Sequence, residues 1–245
     1  MTAPSTLVIV PTYNERDNLP PLVDGLMLHD HVSALVVDDA SPDGTGVVAD
    51  ETAGRYAGRV HVMHRTGRRG LGRSYIDGIR WALERPAFTA LCQMDADLSH
   101  DPARIPALVA AIDAADLALG SRYVDGGRIV NWPVRRRILS RFANLYIRTI
   151  TRLTVHDCTT GFRCWRRDAL AALPLDRFDS DGYSFLVEML FAAARMGKRI
   201  VEVPITFTER RVGESKLSSA VLLESAVTPW RLIARRGQAP FRAMV

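Results

Sequence analysis

Five short runs of β-branched and aliphatic residues recur through the first half of the chain. They are LVIVP (Leu7 to Pro11), ALVVDD (Ala34 to Asp39), RVHVM (Arg59 to Met63), TALCQMD (Thr89 to Asp95) and DLALG (Asp116 to Gly120). Between them, apolar positions recur at helical spacing from about Arg16, from Gly44 to Arg55, from Leu71 to Glu84 and from Arg104 to Asp113. Short apolar runs separated by helices predict βα units and a mostly parallel sheet. In such sheets ligands bind beyond the carboxyl ends of the strands. That rule singles out Thr12 to Glu15, Asp38 to Thr45, Asp95 to His100 and Ser121 to Tyr123. After Arg122 the alternation weakens. A basic loop (Gly126 to Arg137) leads to a helix near Ile138 to Leu153 and the short run GFRCW. A helix near Tyr183 to Met196, the strand RIVEV and a terminal helix follow.

Composition narrows the class. Of 245 residues, 47% are hydrophobic and 24% charged, which excludes disordered, collagen-like and fibrous chains. The most lipid-like stretch, Leu217 to Ala234, is interrupted by Glu224, Pro229 and Arg231, so no spanning helix is expected. The N-terminus enters a strand pattern with no basic leader region, so no secretory signal is expected either. Cys92, Cys158 and Cys164 form no CxxC pair and read as reduced thiols of a cytoplasmic protein. Charge divides the chain. Residues 1–121 carry 10 basic and 16 acidic side chains, whereas residues 122–245 carry 22 and 11. An acidic first half suits a cation, and a basic second half suits anions or an acidic membrane surface.

The candidate chemistry sits at the strand ends. Asp95 and Asp97 stand one residue apart after the fourth run, and in extended backbone such residues face the same way. Hard oxygen ligands on an open turn suit Mg²⁺ or Mn²⁺, with water and phosphates completing the shell. The same acids also fit a turn and helix cap, because Pro102 follows. Asp39 falls in the predicted crevice, where a carboxylate can accept from a nucleoside ring N–H or ribose hydroxyls. Asp43-Gly44-Thr45 reads as a turn and helix entry. Tyr13 and Glu15 suit a base and a ribose, or equally an aromatic lid on the core and a helix cap. Neither GxGxxG after the first strand nor GxxxxGK[ST] is present, which leaves a dehydrogenase or an NTPase without support.

The motifs PTYNER, VVDDASPDGT, MDADLSHDP, GSRYVDGG, NWP, TGFR and RRVGESK occur in this order between residues 7 and 217. In this the chain resembles the polyprenol-phosphate mannose synthases of glycosyltransferase family 2. The resemblance implies an α/β GT-A fold, a mostly parallel sheet flanked by helices, with C-terminal amphipathic helices. It implies that Pro11, Tyr13, Glu15, Val37 and Asp39 line a nucleoside pocket. Asp95, Ala96 and Asp97 would meet the sugar nucleotide and its Mg²⁺ or Mn²⁺. Arg136 and Ser140 would contact the acceptor phosphate, joined by Arg122 at the fifth strand end. Arg210 and Lys216 would close over the diphosphate on a flap carrying Gly213 and Ser215. Relatives often carry Gln where this chain has Ser99, a shorter and poorer ligand, so the ion is expected to bind through Ser99, through water, or more loosely. His100 reads as a structural residue beside Pro102 rather than a ligand.

The implied reaction is inverting transfer of mannose from GDP-mannose to a polyprenyl phosphate, giving the β-mannosyl lipid and GDP. Asp97, Arg122 and Arg136 are the expected catalytic residues. An anionic phosphate nucleophile needs no general base. UDP-glucose or another sugar nucleotide is the alternative donor; a non-catalytic nucleotide-sugar-binding protein is the remote alternative, opposed by the intact Asp95 and Asp97. No nucleic-acid-binding module is evident. Ile138, Phe142, Leu145, Ile150 and Leu153 make an apolar stripe, with Arg137, Arg141, Arg148 and Arg152 on the other side. Val227, Trp230, Leu232 and Ile233 repeat the pattern near the end. Both helices suit the headgroup plane, or else pack on the sheet. The expectation is a single catalytic domain over residues 1–245: a nucleotide-sugar half at 1–121, an acceptor half at 122–216 and a terminal helix at 217–245. It would act as a peripheral enzyme at the cytoplasmic face of a membrane.

Overall fold

Each of the five predicted runs forms a strand, with ends within two residues of expectation. A computed structural model describes residues 5–67, 69–178, 180, 182–209 and 219–235. The first half runs β1 (Thr6–Thr12), α1 (Leu19–Met27), β2 (Val32–Asp38), α2 (Thr45–Arg55), β3 (Val60–His64), α3 (Leu71–Leu83), β4 (Ala90–Gln93), α4 (Ile105–Ala111) and β5 (Leu117–Ser121). The second adds β6 (Arg128–Val130), α5 (Val134–Thr151), β7 (Arg163–Arg166), α6 (Arg167–Ala171), α7 (Gly182–Arg195), β8 (Ile200–Pro204), β9 (Thr206–Thr208) and α8 (Ser219–Ala234). Seven strands form one sheet in the order β3-β2-β1-β4-β7-β5-β8, and β6 pairs with β9 apart from it.

The apolar runs are continuous because both faces of the sheet are covered. Leu7 and Ile9 enter one core with α3 and α7, and the alternating Val8 and Val10 enter a second core with α1 and α4. Helix α3 lies so close to β1 that a Cβ on Gly78 would stand 2.7 Å from Ile9 Cγ2. Prolines open the helices where an N–H is unpaired anyway: α1 carries Pro20 and Pro21 in its first turn and α4 carries Pro106.

Two features of the second half depart from the sequence pattern. The run GFRCW supplies β7, which is antiparallel to both β4 and β5. Its register sets Gln93 opposite Arg163, so the chain after β4 meets the chain before β7. Helix α5 begins four residues earlier than predicted, at Val134 directly after Pro133. Its apolar stripe faces outward: Ile138, Leu139, Phe142 and Leu145 are each more than half exposed, while Asn144, Ile147 and Thr151 are buried. Helix α8 lies alongside, tied by Tyr146 Oη donating to the Ala226 carbonyl at 2.8 Å and accepting from Trp230 Nε1 at 2.9 Å. Among the described residues no helix is long and apolar enough to cross a membrane.

Candidate active site

The chain leaves β4 through Asp95 and Asp97, and both line one cavity of about 440 Å³. Asp97 is buried, and its Oδ1 accepts from Ser99 N at 3.1 Å and Ser99 Oγ at 2.5 Å. Asp95 is more open, and its Oδ1 accepts from Tyr75 Oη at 3.4 Å. Burial, reinforced by Asp95, pushes the Tyr75 hydroxyl well above its ordinary pKa, so it stays a donor. The antiparallel β7 brings Gly161 behind Asp95, and a Cβ there would stand 3.0 Å from both carboxylate oxygens. Only glycine lets that carboxylate sit where it does. Ala96 is a core residue and offers a ligand only its backbone.

Next to the acids, His100 is enclosed between Phe162, stacked at 5.0 Å, and Phe207, edge-on at 5.3 Å. Burial pulls its pKa down to about 4, leaving a neutral imidazole. Its Nδ1 is buried without a hydrogen-bond partner. An open carboxylate against a glycine cradle, beside an orphaned ring nitrogen, fits a divalent cation as the chemistry of the donor set requires.

The cavity continues over basic and then apolar groups. The Arg122 side chain, 8% exposed, is pinned by the wholly buried Asp157, with Nε at 2.7 Å and Nη2 at 2.6 Å, and by Thr159 Oγ1 at 2.9 Å. Arg136 lies 4.1 Å over the Trp132 ring and meets both Glu209 oxygens through Nη1 at 2.6 and 2.7 Å. The Ser140 hydroxyl accepts from Tyr123 Oη at 2.7 Å. Leu139, Phe142, Ala143 and Ile147 of α5, Val187 of α7 and Pro229 of α8 supply the apolar wall.

A second group gathers beyond β1 and β2. Asp39 Oδ2 accepts from Gly70 N at 2.8 Å, and its other oxygen pairs with Arg65, which also reaches Asp77 at 2.8 Å. Arg69 lies 4.8 Å over the Tyr13 ring, donates to Tyr13 Oη at 2.8 Å and to the Ala40 carbonyl at 3.0 Å. Glu15 N–H donates to Thr45 Oγ1 at 2.9 Å, and its carboxylate accepts from Asn18 at 2.8 Å. Pro11 and Val37 are register partners at the strand ends. Val37 is wholly enclosed in the core, so its side chain cannot line a pocket and only its backbone can meet a ligand.

The structure therefore joins Asp95, Asp97, Arg122, Arg136 and Ser140 on one cavity and sets Tyr13, Glu15 and Asp39 together at the other strand ends. Arg210 and Lys216 lie outside the described residues. The sequence reading passed over Arg65 and Arg69, although the strand-end rule applied to β3 points at this segment. It gave no role to Asp157 or Glu209, nor to Trp132 of NWP, whose partners are distant in the chain. Arg163, inside TGFR, was likewise given no role. Its buried guanidinium donates to the carbonyls of Thr160 (2.8 Å), Leu186 (2.7 Å) and Cys158 (3.2 Å), fastening the turn behind Asp95.

Known proteins resemble this chain in sequence and fold. Residues 7–173 match the family model described as Glycosyl transferase family 2. The chain is 49% identical over 239 residues to a polyprenol monophosphomannose synthase of Mycolicibacterium smegmatis, covering 96% of this chain and 89% of that one. It is 50% identical over 234 residues to an undecaprenyl-phosphate mannosyltransferase of Micrococcus luteus, covering 94% of this chain and 95% of that one. The crystal structure of Mycobacterium tuberculosis glucosyl-3-phosphoglycerate synthase with Mn²⁺, UDP-glucose and phosphoglyceric acid shares the fold. Its TM-score is 0.69 at 17% identity, over 94% of this chain and 80% of that one. A sheet whose strand ends hold paired acids, joined to relatives matched over nearly their whole length, makes the chain a member of glycosyl transferase family 2.

Proposed function

We propose that the protein transfers a mannosyl group from GDP-mannose to a polyprenyl phosphate with inversion, yielding the β-mannosyl phospholipid and GDP. The observation that carries this reading is the shared cavity. Paired acids suited to a sugar diphosphate open onto two arginines and a serine suited to a phosphate, and then onto an apolar wall suited to a prenyl chain. The names of the two bacterial relatives support the same donor sugar and acceptor class.

The chemistry follows from the charges. An acceptor phosphate oxygen forms the bond to the mannose anomeric carbon as the bond to the diphosphate oxygen breaks, and GDP leaves with that electron pair. The nucleophile is already anionic, so no proton has to move and no general base is needed. The protein's task is to bring two anions together in line. Arg122, held rigid by Asp157, and Arg136, stacked on Trp132, offset the acceptor's charge and fix its approach. Asp95 and Asp97 would hold Mg²⁺ or Mn²⁺, which when bound supplies positive charge to the departing diphosphate. Tyr13, Glu15 and Asp39 take the nucleoside; Arg210 and Lys216, outside the described residues, are the candidates for the diphosphate that the family resemblance offers. The exposed apolar residues of α5 and α8 rest against a cytoplasmic membrane face, beside the cavity that receives the lipid.

The test is donor-by-donor transfer of labelled sugar into an organic-extractable lipid, with and without Mg²⁺. Labelling from GDP-mannose is expected. Labelling only from UDP-glucose would overturn the donor assignment, and no labelling from any donor would overturn the reaction.

A further inference from the structure

Arg141 and Arg148 read from the sequence as lying opposite the apolar stripe of α5. The helix sets them differently: Arg141 is four residues before Leu145 and Arg148 three after, so all three share one side. There they line a second cavity, of about 220 Å³, together with Tyr123, Asn144 and His156. It shares no residue with the cavity that holds the paired acids. Tyr123 stands at the divide. Its hydroxyl donates to Ser140 of the acceptor cavity at 2.7 Å, while Arg141 lies 5.9 Å over its ring. The space falls below the roughly 300–1,000 Å³ of drug-sized sites, so it suits a small polar group and neither a nucleotide nor a prenyl chain.

Positive charge stands here without a counter-ion. In the acceptor cavity Arg122 and Arg136 each meet a carboxylate, whereas among the described residues neither Arg141 nor Arg148 does. Arg148 reaches the Thr154 carbonyl through Nη2 at 3.5 Å, the outer limit of a hydrogen bond, and its Nε is buried with no partner. Folded proteins rarely leave such a nitrogen unused. The other polar groups of the wall are committed. Asn144 donates to the Ser140 carbonyl at 2.9 Å and accepts from the Cys158 N–H at 2.7 Å. His156 Nδ1 donates to Glu202 Oε2 at 2.9 Å, and that carboxylate also accepts from the His156 and Asp157 N–H groups at 2.8 and 3.0 Å. Glu202 therefore fixes the imidazole and does not neutralise the arginines.

Two guanidinium groups without carboxylates select an anion with several oxygens, as a phosphate has. Seven residues of helix separate them, about 10 Å of rise, enough to span a phosphodiester and the glycerol beside it. The surroundings decide where that phosphate comes from. Leu145 on the cavity wall is 59% exposed, next to Phe142 at 63% and Ile138 at 64% on the same helix. A ligand that sets an anion on the arginines and hydrocarbon on these side chains is a lipid.

We propose that this cavity binds the phosphodiester headgroup of an anionic glycerophospholipid, whose acyl chains lie along Leu145 and Phe142. The proposal rests on the membrane reading above and gives that contact a built site, separate from the site of the acceptor phosphate. Filling it docks α5 at headgroup depth, next to the cavity that receives the polyprenyl phosphate.

The experiment follows the full chain, carrying ¹³C-histidine, by nuclear magnetic resonance during titration with dihexanoyl phosphatidylglycerol below its micelle concentration. The His156 ring signal, identified by its loss in His156→Gln, is expected to shift and saturate. Dihexanoyl phosphatidylcholine, which carries no net charge, is expected to leave it in place. Arg141→Gln and Arg148→Gln should each weaken the phosphatidylglycerol titration about 10-fold or more. Arg135→Gln and Arg137→Gln remove the same charge from exposed positions of α5 outside the cavity and should weaken it less than about threefold. Arg141 is exposed, so its variant probes the site without disturbing the core. No saturable His156 shift, or equal losses in all four arginine variants, overturns the headgroup site. The same shift from inorganic phosphate at the same concentration overturns the lipid as its occupant. Co-sedimentation of the wild type with phosphatidylglycerol vesicles separates this proposal from the membrane reading. Vesicle binding without the His156 shift overturns the proposal and leaves that reading standing, and no vesicle binding overturns both.

Discussion

At the nucleotide end, Asp39 is gripped by the Gly70 N–H and by Arg65; at the acceptor end, Arg122 is gripped by Asp157. In the first case the ligand-facing group is an anion held by donors, and in the second it is a cation held by a carboxylate. Both arrangements fix a polar group before any ligand arrives, which reduces the ordering left to binding. The acceptor end adds a distinction of its own. The Arg122–Asp157 pair is almost wholly buried, whereas Arg136 and Glu209 are each just over a quarter exposed. A buried pair holds its geometry, while a half-open pair can trade its carboxylate for an incoming phosphate at small cost. Arg122 is thus the fixed wall of the phosphate site and Arg136 its adaptable arm.

Breaking each part in turn tests that division. The largest effect is expected at Asp97→Ala, which removes the buried acid between the two ends. Transfer should fall on the order of a thousandfold, the scale of several kcal/mol of lost charge stabilisation. Turnover near the wild-type rate with the same Mg²⁺ response would show that the acids only cap a turn.

Asp157→Ala should act mainly on the fold, because it leaves Arg122 buried without its partner. About 3–5 kcal/mol of stability should be lost, read as the denaturation midpoint. If the midpoint hardly moves, Arg122 is not held by this pair and the fixed-wall description fails.

Arg136→Ala should weaken use of a short-chain polyprenyl phosphate by roughly 10- to 150-fold, as charge-assisted bonds of about 1.5–3 kcal/mol imply. GDP-mannose affinity and the denaturation midpoint should change little. Arg136→Lys should recover only part, since an ammonium lacks the guanidinium fork. Equal loss toward donor and acceptor would move Arg136 to the diphosphate.

The smallest effect belongs to the outward stripe. Phe142→Ala and Leu145→Ala should each reduce binding to anionic vesicles several-fold, about 1 kcal/mol per side chain withdrawn from the interface. Turnover of a short-chain acceptor in solution should be unaffected. Co-sedimentation with vesicles gives the answer, and unchanged binding would mean that the face contacts something other than lipid.

Much of the donor half was legible from the residues in order. Leu7 to Pro11 or Ala34 to Asp39 must be buried strands, because no other local structure hides so short and continuous an apolar run on both faces. Each strand then delivers its last polar residues to one edge, and Asp39, Asp95 and Asp97 follow from that geometry alone. In α5 the same kind of pattern left two outcomes open, since an amphipathic stripe looks identical whether it packs on a sheet or on lipid. Only the folded chain shows Phe142 and Leu145 pointing outward and Ile147 inward.

What tertiary structure alone decided are the pairings across long stretches of chain. Asp157 lies 35 residues from Arg122, and Glu209 lies 73 from Arg136. Carboxylates are common, and no local spacing says which of them will meet a given arginine. The reversal of β7 settles this, since it folds Gly161 back against Asp95 and carries the Cys158–Thr160 turn into the cavity wall. Local pattern determines where strands end, because burial and backbone pairing act on neighbours. Close packing of distant segments determines which side chains meet there.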